Sequence, residues 1–247
     1  MDVAIVTVGD ELLSGETTDT NASWLASQIT DRGAIVRRIL TIPDDRDLIA
    51  DAVADWHDEF DAVVVTGGIG GTPDDVTLEA VADALGREYV VHEGIRDALR
   101  EKAARFREKN PELVSEYDLR LDVDAASSIP EGATPISVDE GWAPGAVVEN
   151  VYVFAGIPNE MKAMFARVAD EFRGDSTAKT LYTPAPEGAL HDALEGVTER
   201  YDVAVGSYPR SENRPGRVRV SATDEPVVEE AVEWLRERIE TVEPPTE

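Results

Sequence analysis

The chain contains no cysteine. That excludes a disulfide scaffold and any thiolate metal centre. Lysine is nearly as scarce: Lys102, Lys109, Lys162 and Lys179 are the only ones in 247 residues. With Lys+Arg at 23 against Asp+Glu at 51, the formal net charge is −28, which argues against affinity for nucleic acid or an anionic membrane. The acids are spread along the chain rather than gathered in a tail. This is the pattern expected of a salt-adapted protein, in which ionic screening relieves self-repulsion. Long hydrophobic runs are also missing, so no membrane span is expected. The apolar start, Val3 to Val8, has no basic lead-in of a signal peptide, and a cytoplasmic location is expected. His57, His92 and His191 are far apart in sequence and show no metal-ligand spacing.

Glycine, by contrast, is concentrated where it matters. The stretch from Val65 to Thr77 begins with an apolar run, Ala62 to Val65, that reads as a buried strand. Gly67, Gly68, Gly70 and Gly71 follow, and then Thr72-Pro73. Thr72 suits a helix N-cap, Pro73 the first helical position and Asp75 the third, a capping-box pattern that predicts a helix over 73–85. Strand, glycine turn and helix start together suit a bound phosphate, because close backbone approach and free amides face the anion. Asp74 and Asp75 would repel that phosphate unless a cation intervened. Phosphate binding here therefore implies a divalent ion with oxygen ligands. The plainer reading is that both acids only stabilise a helix end.

Strands and helices alternate along residues 1 to 173. Strands are expected at Val3 to Gly9, Ala34 to Ile42, Asp61 to Thr66, Glu88 to His92 and Val151 to Ala155. Asp10 to Thr18 reads as a polar loop, and helices are expected at 19–33, 45–58, 94–109 and 159–172. Residues 110 to 150 are broken by prolines and give no regular pattern. The alternation predicts an α/β fold, with a mostly parallel sheet between two helical layers. If strand two lies outside strand one, and strand three on its other side, the order reverses between one and three. Ligands bind at the carboxyl ends of strands at such a point. The loops meeting there are Gly9 to Asp19 and Gly67 to Asp75. From 175 to 242 the order strand, helix, strand, strand, helix predicts a small α+β domain with an antiparallel pair, and 243–247 is a tail.

Several polar residues fall on the same rim: Asp10, Glu11, Asp19, Asn21 and Asp44. For any single acid, a solvated loop or a helix cap explains its presence. Their convergence on one glycine loop points to a metal–phosphate site. Thr7 and Thr77 are further candidate contacts, or strand and helix packing.

The ordered motifs Gly9-Asp-Glu-Leu-Leu-Ser-Gly15 with Asp19-Thr-Asn21, Thr66-Gly-Gly-Ile-Gly-Gly-Thr-Pro-Asp-Asp-Val-Thr77, Ala143-Pro-Gly145, and Gly156-Ile-Pro158 with Glu160 resemble the CinA-type N-terminal domain. That domain belongs to the molybdopterin-binding superfamily of MogA, MoeA and gephyrin. The resemblance covers about residues 1–173, and residues 175–242, with Gly206-Ser-Tyr-Pro209, resemble the small domain that follows it. Two positions depart from the family pattern. Gly71 stands where proline is usual, and Ala155-Gly156 where Pro-Gly is frequent. Nothing in the chain corresponds to the deamidase domain of many bacterial relatives, so nicotinamide-nucleotide deamidation is not expected.

The resemblance implies a nucleotide or pterin-phosphate pocket and hydrolysis of pyrophosphate bonds in compounds such as ADP-ribose or FAD. On this reading Thr66, Gly67, Gly68, Gly70, Gly71, Thr72 and Thr77 contact the phosphate. Ser14, Asp19, Asn21, Asp44, Pro144, Gly145, Gly156, Pro158 and Glu160 complete the pocket. Asp10, Asp74 and Asp75 hold magnesium, manganese or cobalt, and Glu11 is the general base. Two alternatives stay open: molybdopterin binding or adenylylation in molybdenum-cofactor assembly, and a non-catalytic nucleotide sensor. A homo-oligomer, dimer or trimer, is implied by the resemblance alone. Arg210, Arg214, Arg217 and Arg219 cluster in this acidic chain. They read either as partners for surplus carboxylates or as an arm that reaches a ligand phosphate.

Overall fold

A computed structural model of the chain describes residues 1–117, 122–139, 141–211 and 214–244. The expected tail therefore falls largely outside the described residues, since 245–247 are not among them. The chain divides into two compact units, Met1–Arg173 and Gly174–Glu247.

The first unit opens with β1 (Asp2–Val8), the short α1 (Asp10–Leu13), α2 (Thr20–Thr30), β2 (Ile35–Ile42), α3 (Arg46–Glu59) and β3 (Ala62–Thr66). It continues through α4 (Thr77–Ala84), β4 (Tyr89–Val91), α5 (Glu93–Lys109), α6 (Pro111–Tyr117), α7 (Val123–Ala126) and β5 (Ser128–Pro130). It closes with β6 (Thr134–Ile136), β7 (Gly145–Val148), β8 (Val151–Phe154) and α8 (Pro158–Val168). Six strands form one sheet in the order β2-β1-β3-β8-β7-β6. The first four run parallel, and β7 and β6 are added antiparallel. β4 and β5 form a separate antiparallel pair.

Hydrophobic burial explains the centre of this sheet. Val3 to Val6 of β1 and Val63 to Val65 of β3 are wholly inaccessible to solvent. Unbroken apolar runs are what a parallel strand covered on both faces requires. Right-handed crossovers then place the helices. The step from β1 to β2 and the step from β2 to β3 go in opposite directions, so α2 and α3 lie on opposite faces. α2 packs with α8, where Trp24 meets Phe165 edge to face at 5.5 Å. α3 packs with α4. Arg46 ties that second pair together with Glu79 at 2.6 Å and Asp83 at 2.5 Å. β2 lies outside β1 and β3 on its other side, so the condition for a reversal of order between β1 and β3 is met.

Three local expectations are overturned. Asp10 to Thr18 is not simply loop, because Asp10–Leu13 forms a helical turn with Gly9 at its N-cap. The fourth helix begins at Thr77, not at residue 73, and its N-cap is Val76. Thr72 to Asp75 is a closed turn instead. The Asp75 carboxylate accepts from the Thr72 amide at 2.8 Å and hydroxyl at 2.6 Å. Half of the capping box thus forms, but the Thr72 hydroxyl donates to Asp75 rather than capping a helix. The helix starts only where the Thr77 amide reaches the Gly68 carbonyl at 3.0 Å, with Thr77, Leu78 and Val81 buried on the sheet. Finally, residues 110 to 150 carry two short helices and three strands. The strands have three or four residues each and pair antiparallel, so they leave little local periodicity.

The second unit contains β9 (Thr177–Thr183), α9 (His191–Arg200), β10 (Ala204–Tyr208), β11 (Gly216–Ala222) and α10 (Glu225–Arg236). Its sheet is fully antiparallel in the order β10-β11-β9, so three strands pair rather than two. Both helices pack on one face, over Leu181, Val218 and Val220. No described helix is long and apolar enough to cross a membrane.

Candidate functional site

The carboxyl ends of β1, β3 and β8 converge in a floor of hydrogen-bonded backbone. The Gly9 amide donates to the Ile42 carbonyl at 3.1 Å, and the Gly67 amide to the Phe154 carbonyl at 3.1 Å. The buried Thr66 hydroxyl donates to the Ala155 carbonyl at 2.8 Å. Thr7, also buried, shares a 2.9 Å hydroxyl pair with Thr41. Both threonines thus support the strands, and Thr66 spends its only proton on the backbone.

Two glycines are structurally required here. Gly67 has φ of 109°, and a Cβ there would stand 2.2 Å from the Val8 carbonyl oxygen. Gly68 has φ of 63°, and a Cβ would stand 2.4 Å from the Thr77 hydroxyl and 3.4 Å from an Asp44 oxygen. These positive values and the missing Cβ bring Gly68, Thr77 and Asp44 into one cradle. The Thr77 hydroxyl is buried and has no hydrogen-bond partner among the described residues. An orphaned buried hydroxyl costs about 1–3 kcal/mol unless something else bonds it. Among the described residues, the amides of Gly68, Ile69, Gly70 and Gly71 donate no hydrogen bond. Gly70 lies against the Asp75 carboxylate, whereas Gly71 faces open space.

Acidic groups crowd the other side of the cradle. Asp44 accepts from the Asp10 amide at 3.0 Å. Burial pushes the Asp44 carboxyl above its ordinary range, and the charges of Asp10, Glu11 and Asp74 push the same way against that one hydrogen bond. Glu11 folds back over Gly9, where a Cβ would stand 2.6 Å from its carboxylate. Among the described residues, no three acidic or histidine side chains already stand where one metal ion could bind them. The donor set nonetheless fits a hard cation. Magnesium keeps several waters and takes one or two carboxylates together with substrate phosphates, and oxygen ligands are what this rim supplies.

A small cavity of about 80 Å³ adjoins the floor, between α1, the start of α2 and the turn into α8. Glu11, Asp19, Asn21, Thr66, Gly156 and Pro158 line it. Asp19 caps α2 by accepting from the Ala22 amide at 2.9 Å. Asn21 donates to the Gly156 carbonyl at 2.7 Å, and its own Oδ1 is buried without a partner among the described residues. Gly156 is pressed against Gly67, with 3.3 Å between its absent Cβ and the Gly67 Cα. Pro158 starts α8. Ser14 closes α1, its hydroxyl bonded to the Glu11 carbonyl at 3.3 Å.

Pro144, Gly145 and Glu160 stand elsewhere. Gly145 is buried in β7, where a Cβ would meet the Val153 carbonyl oxygen at 2.4 Å. Pro144 lines a separate cavity of about 150 Å³ with Lys102 and Trp142. Glu160 lies against Gly141. Lys102 was not singled out by sequence reasoning. Its ammonium donates to the Asp139 carbonyl at 2.8 Å and lies 5.3 Å from the Trp142 ring centre. The available signal was its place four residues before Phe106, which meets the same ring at 5.6 Å.

The fold and this rim define an α/β domain with a candidate site at the switch point of a mostly parallel sheet. Residues 4–173 match the family model described as "Probable molybdopterin binding domain", and the chain belongs to that family. Residues 176–244 match "FAD synthase, middle domain". A protein of Archaeoglobus fulgidus is 37% identical over 241 residues, covering 96% of this chain and 97% of its own. One of Pyrococcus abyssi is 33% identical over 246 residues, covering 96% and 97%. The crystal structure of CinA, a protein of unknown function from Thermoplasma acidophilum, superposes with a TM-score of 0.60 at 30% identity. It covers 69% of this chain and 97% of that one. The first unit is thus a CinA-like domain.

Proposed function

We propose that the first unit binds the phosphates of a nucleotide on the 67–77 loop and hydrolyses the pyrophosphate bond of ADP-ribose- or FAD-type dinucleotides. The observation that carries this reading is the set of unused donors facing crowded carboxylates: the amides of Gly68 to Gly71 and the Thr77 hydroxyl opposite Asp44. Donors of this kind suit an anion. A divalent ion held by Asp10, Asp74 and Asp75 would neutralise phosphate charge and acidify a water when bound. Glu11 accepts the proton from the attacking water through a carboxylate oxygen. Water adds to one phosphorus, the bridging oxygen leaves with the other, and two monophosphates result. Cytoplasmic location, salt adaptation and assembly as a homo-oligomer belong to the same proposal.

The test is product separation after incubation with ADP-ribose, FAD, NAD or ATP and magnesium, manganese or cobalt, at high potassium chloride. Two monophosphates from a dinucleotide support the reading. Asp75→Asn should abolish that turnover and leave the fold intact; unchanged hydrolysis in this variant removes Asp75 from the metal role. A second reading, binding or adenylylation of molybdopterin, is favoured by the family match. It predicts no dinucleotide cleavage but transfer of AMP from ATP to molybdopterin, or molybdopterin copurifying with the chain.

A further inference from the structure

The second unit carries a sheet face on which two arginines stand with no acid opposite them across the ladder among the described residues. Val218 and Val220 of β11 are wholly buried under the helices. Side chains alternate along a strand, so Arg217 and Arg219 emerge together on the opposite face. Their neighbours across the ladder are Tyr182 and Tyr208 beside Arg217, and Thr180 and Gly206 beside Arg219. None is a carboxylate. Several arginines elsewhere are paired, Arg37 with Asp2 at 2.9 Å, Arg38 with Glu59 at 2.9 Å and Arg87 with Glu149 at 2.6 Å. Among the described residues Arg210, Arg214, Arg217 and Arg219 make no ion pair.

The aromatic part of this face is built as well. The Tyr208 ring lies along its own strand over Gly206, where a Cβ would stand 3.2 Å from the ring. Arg217 lies 5.0 Å from the centre of that ring, and Tyr208 is 45% exposed. A guanidinium held against an aromatic ring keeps its N–H fork free for a phosphate. The exposed ring beside it offers a planar surface for a base.

We propose that this face is a second ligand site, taking a nucleoside phosphate with the phosphate on Arg217 and Arg219 and the base against Tyr208. Charge complementarity selects the phosphate, and the exposed ring selects a nucleoside over a bare phosphate. The net charge of −28 disfavours a nucleic-acid polymer in the same place. The proposal is independent of hydrolysis at the glycine loop.

The experiment uses the full chain with EDTA present, at the lowest salt that leaves its circular dichroism unchanged. AMP, ribose 5-phosphate and adenosine are titrated calorimetrically, and amide shifts are mapped with AMP. Expected is AMP binding that shifts the amides of Gly206, Tyr208 and Arg219. Arg217→Gln with Arg219→Gln should weaken it about tenfold or more. Tyr208→Ala should erase the preference for AMP over ribose 5-phosphate, and adenosine should bind least. Both arginines point away from the core, so the variants keep the fold, and unchanged dichroism checks this. The proposal is overturned if AMP fails to bind, if it shifts only amides of residues 66–77, or if the double arginine variant binds it equally well.

Discussion

The floor of the first-unit site and its lip are made in different ways. In the floor, Thr7 and Thr66 are 1% and 2% exposed and both hydroxyls are bonded. Gly67 fits only because no Cβ stands against the Val8 carbonyl. The lip, from Gly70 to Asp75 with Asp10 to Ser14, is held by local turns such as the Thr72–Asp75 pair. It carries the carboxylates, and little else packs on it. On the proposed reading the floor fixes where a ligand lies, and the lip supplies charge that needs no rigid frame. Changes to the floor should therefore act on folding, and changes to the lip on binding and turnover.

Gly67→Ala offers the largest test of that division. Both the φ of 109° and the 2.2 Å backbone contact oppose a Cβ, so destabilisation of about 3 kcal/mol or more is expected in urea unfolding. An unfolding midpoint equal to that of the unmodified chain would break the comparison. Thr77→Val stands at the boundary between the two regions. Removing an unpartnered buried hydroxyl should leave stability unchanged or raise it by about 1 kcal/mol. The same change should weaken binding of a nucleotide phosphate by about tenfold in calorimetry. A loss of stability with unchanged affinity would assign Thr77 to the floor alone.

Asp44 gives a smaller effect with a definite sign. Its carboxyl is raised by burial and by neighbouring acids, so the stability it contributes is present at low pH and lost as pH rises through its folded-state value. At neutral pH without divalent ions, Asp44→Asn should therefore melt at a higher temperature than the unmodified chain. The Asn oxygen still accepts the Asp10 amide bond. The gap should close toward about pH 3 and narrow when manganese is added at pH 7. Thermal melts across that range check both. The smallest effect belongs to Gly71→Ala on the lip. A Cβ there meets nothing, and stability should stay within about 0.5 kcal/mol.

The same division explains what could be read from the sequence. β1 and β3 were legible because buried parallel strands are continuous apolar runs, and the two loops at their ends followed from strand order. Gly67 and Gly68 were legible as a close-approach turn, though not for the contacts with Val8 and Thr77 that require them. The helix start was misplaced because Thr72-Pro-Asp-Asp75 satisfies two local arrangements, and only burial of Leu78 and Val81 decides between them. Residues 110–150 were opaque for another reason. β5 pairs with β4, nearly forty residues earlier in the chain, and no local period reports such a partner. Lys102 and Trp142 meet across a similar separation.

A crystal structure grown with manganese and a non-hydrolysable ADP-ribose analogue tests the central claim most directly. The account predicts a phosphate within hydrogen-bond distance of the Gly68 to Gly71 amides and the Thr77 hydroxyl, with the metal between it and Asp10, Asp74 and Asp75. A phosphate seated away from this loop, with the Thr77 hydroxyl still unpaired, would contradict it.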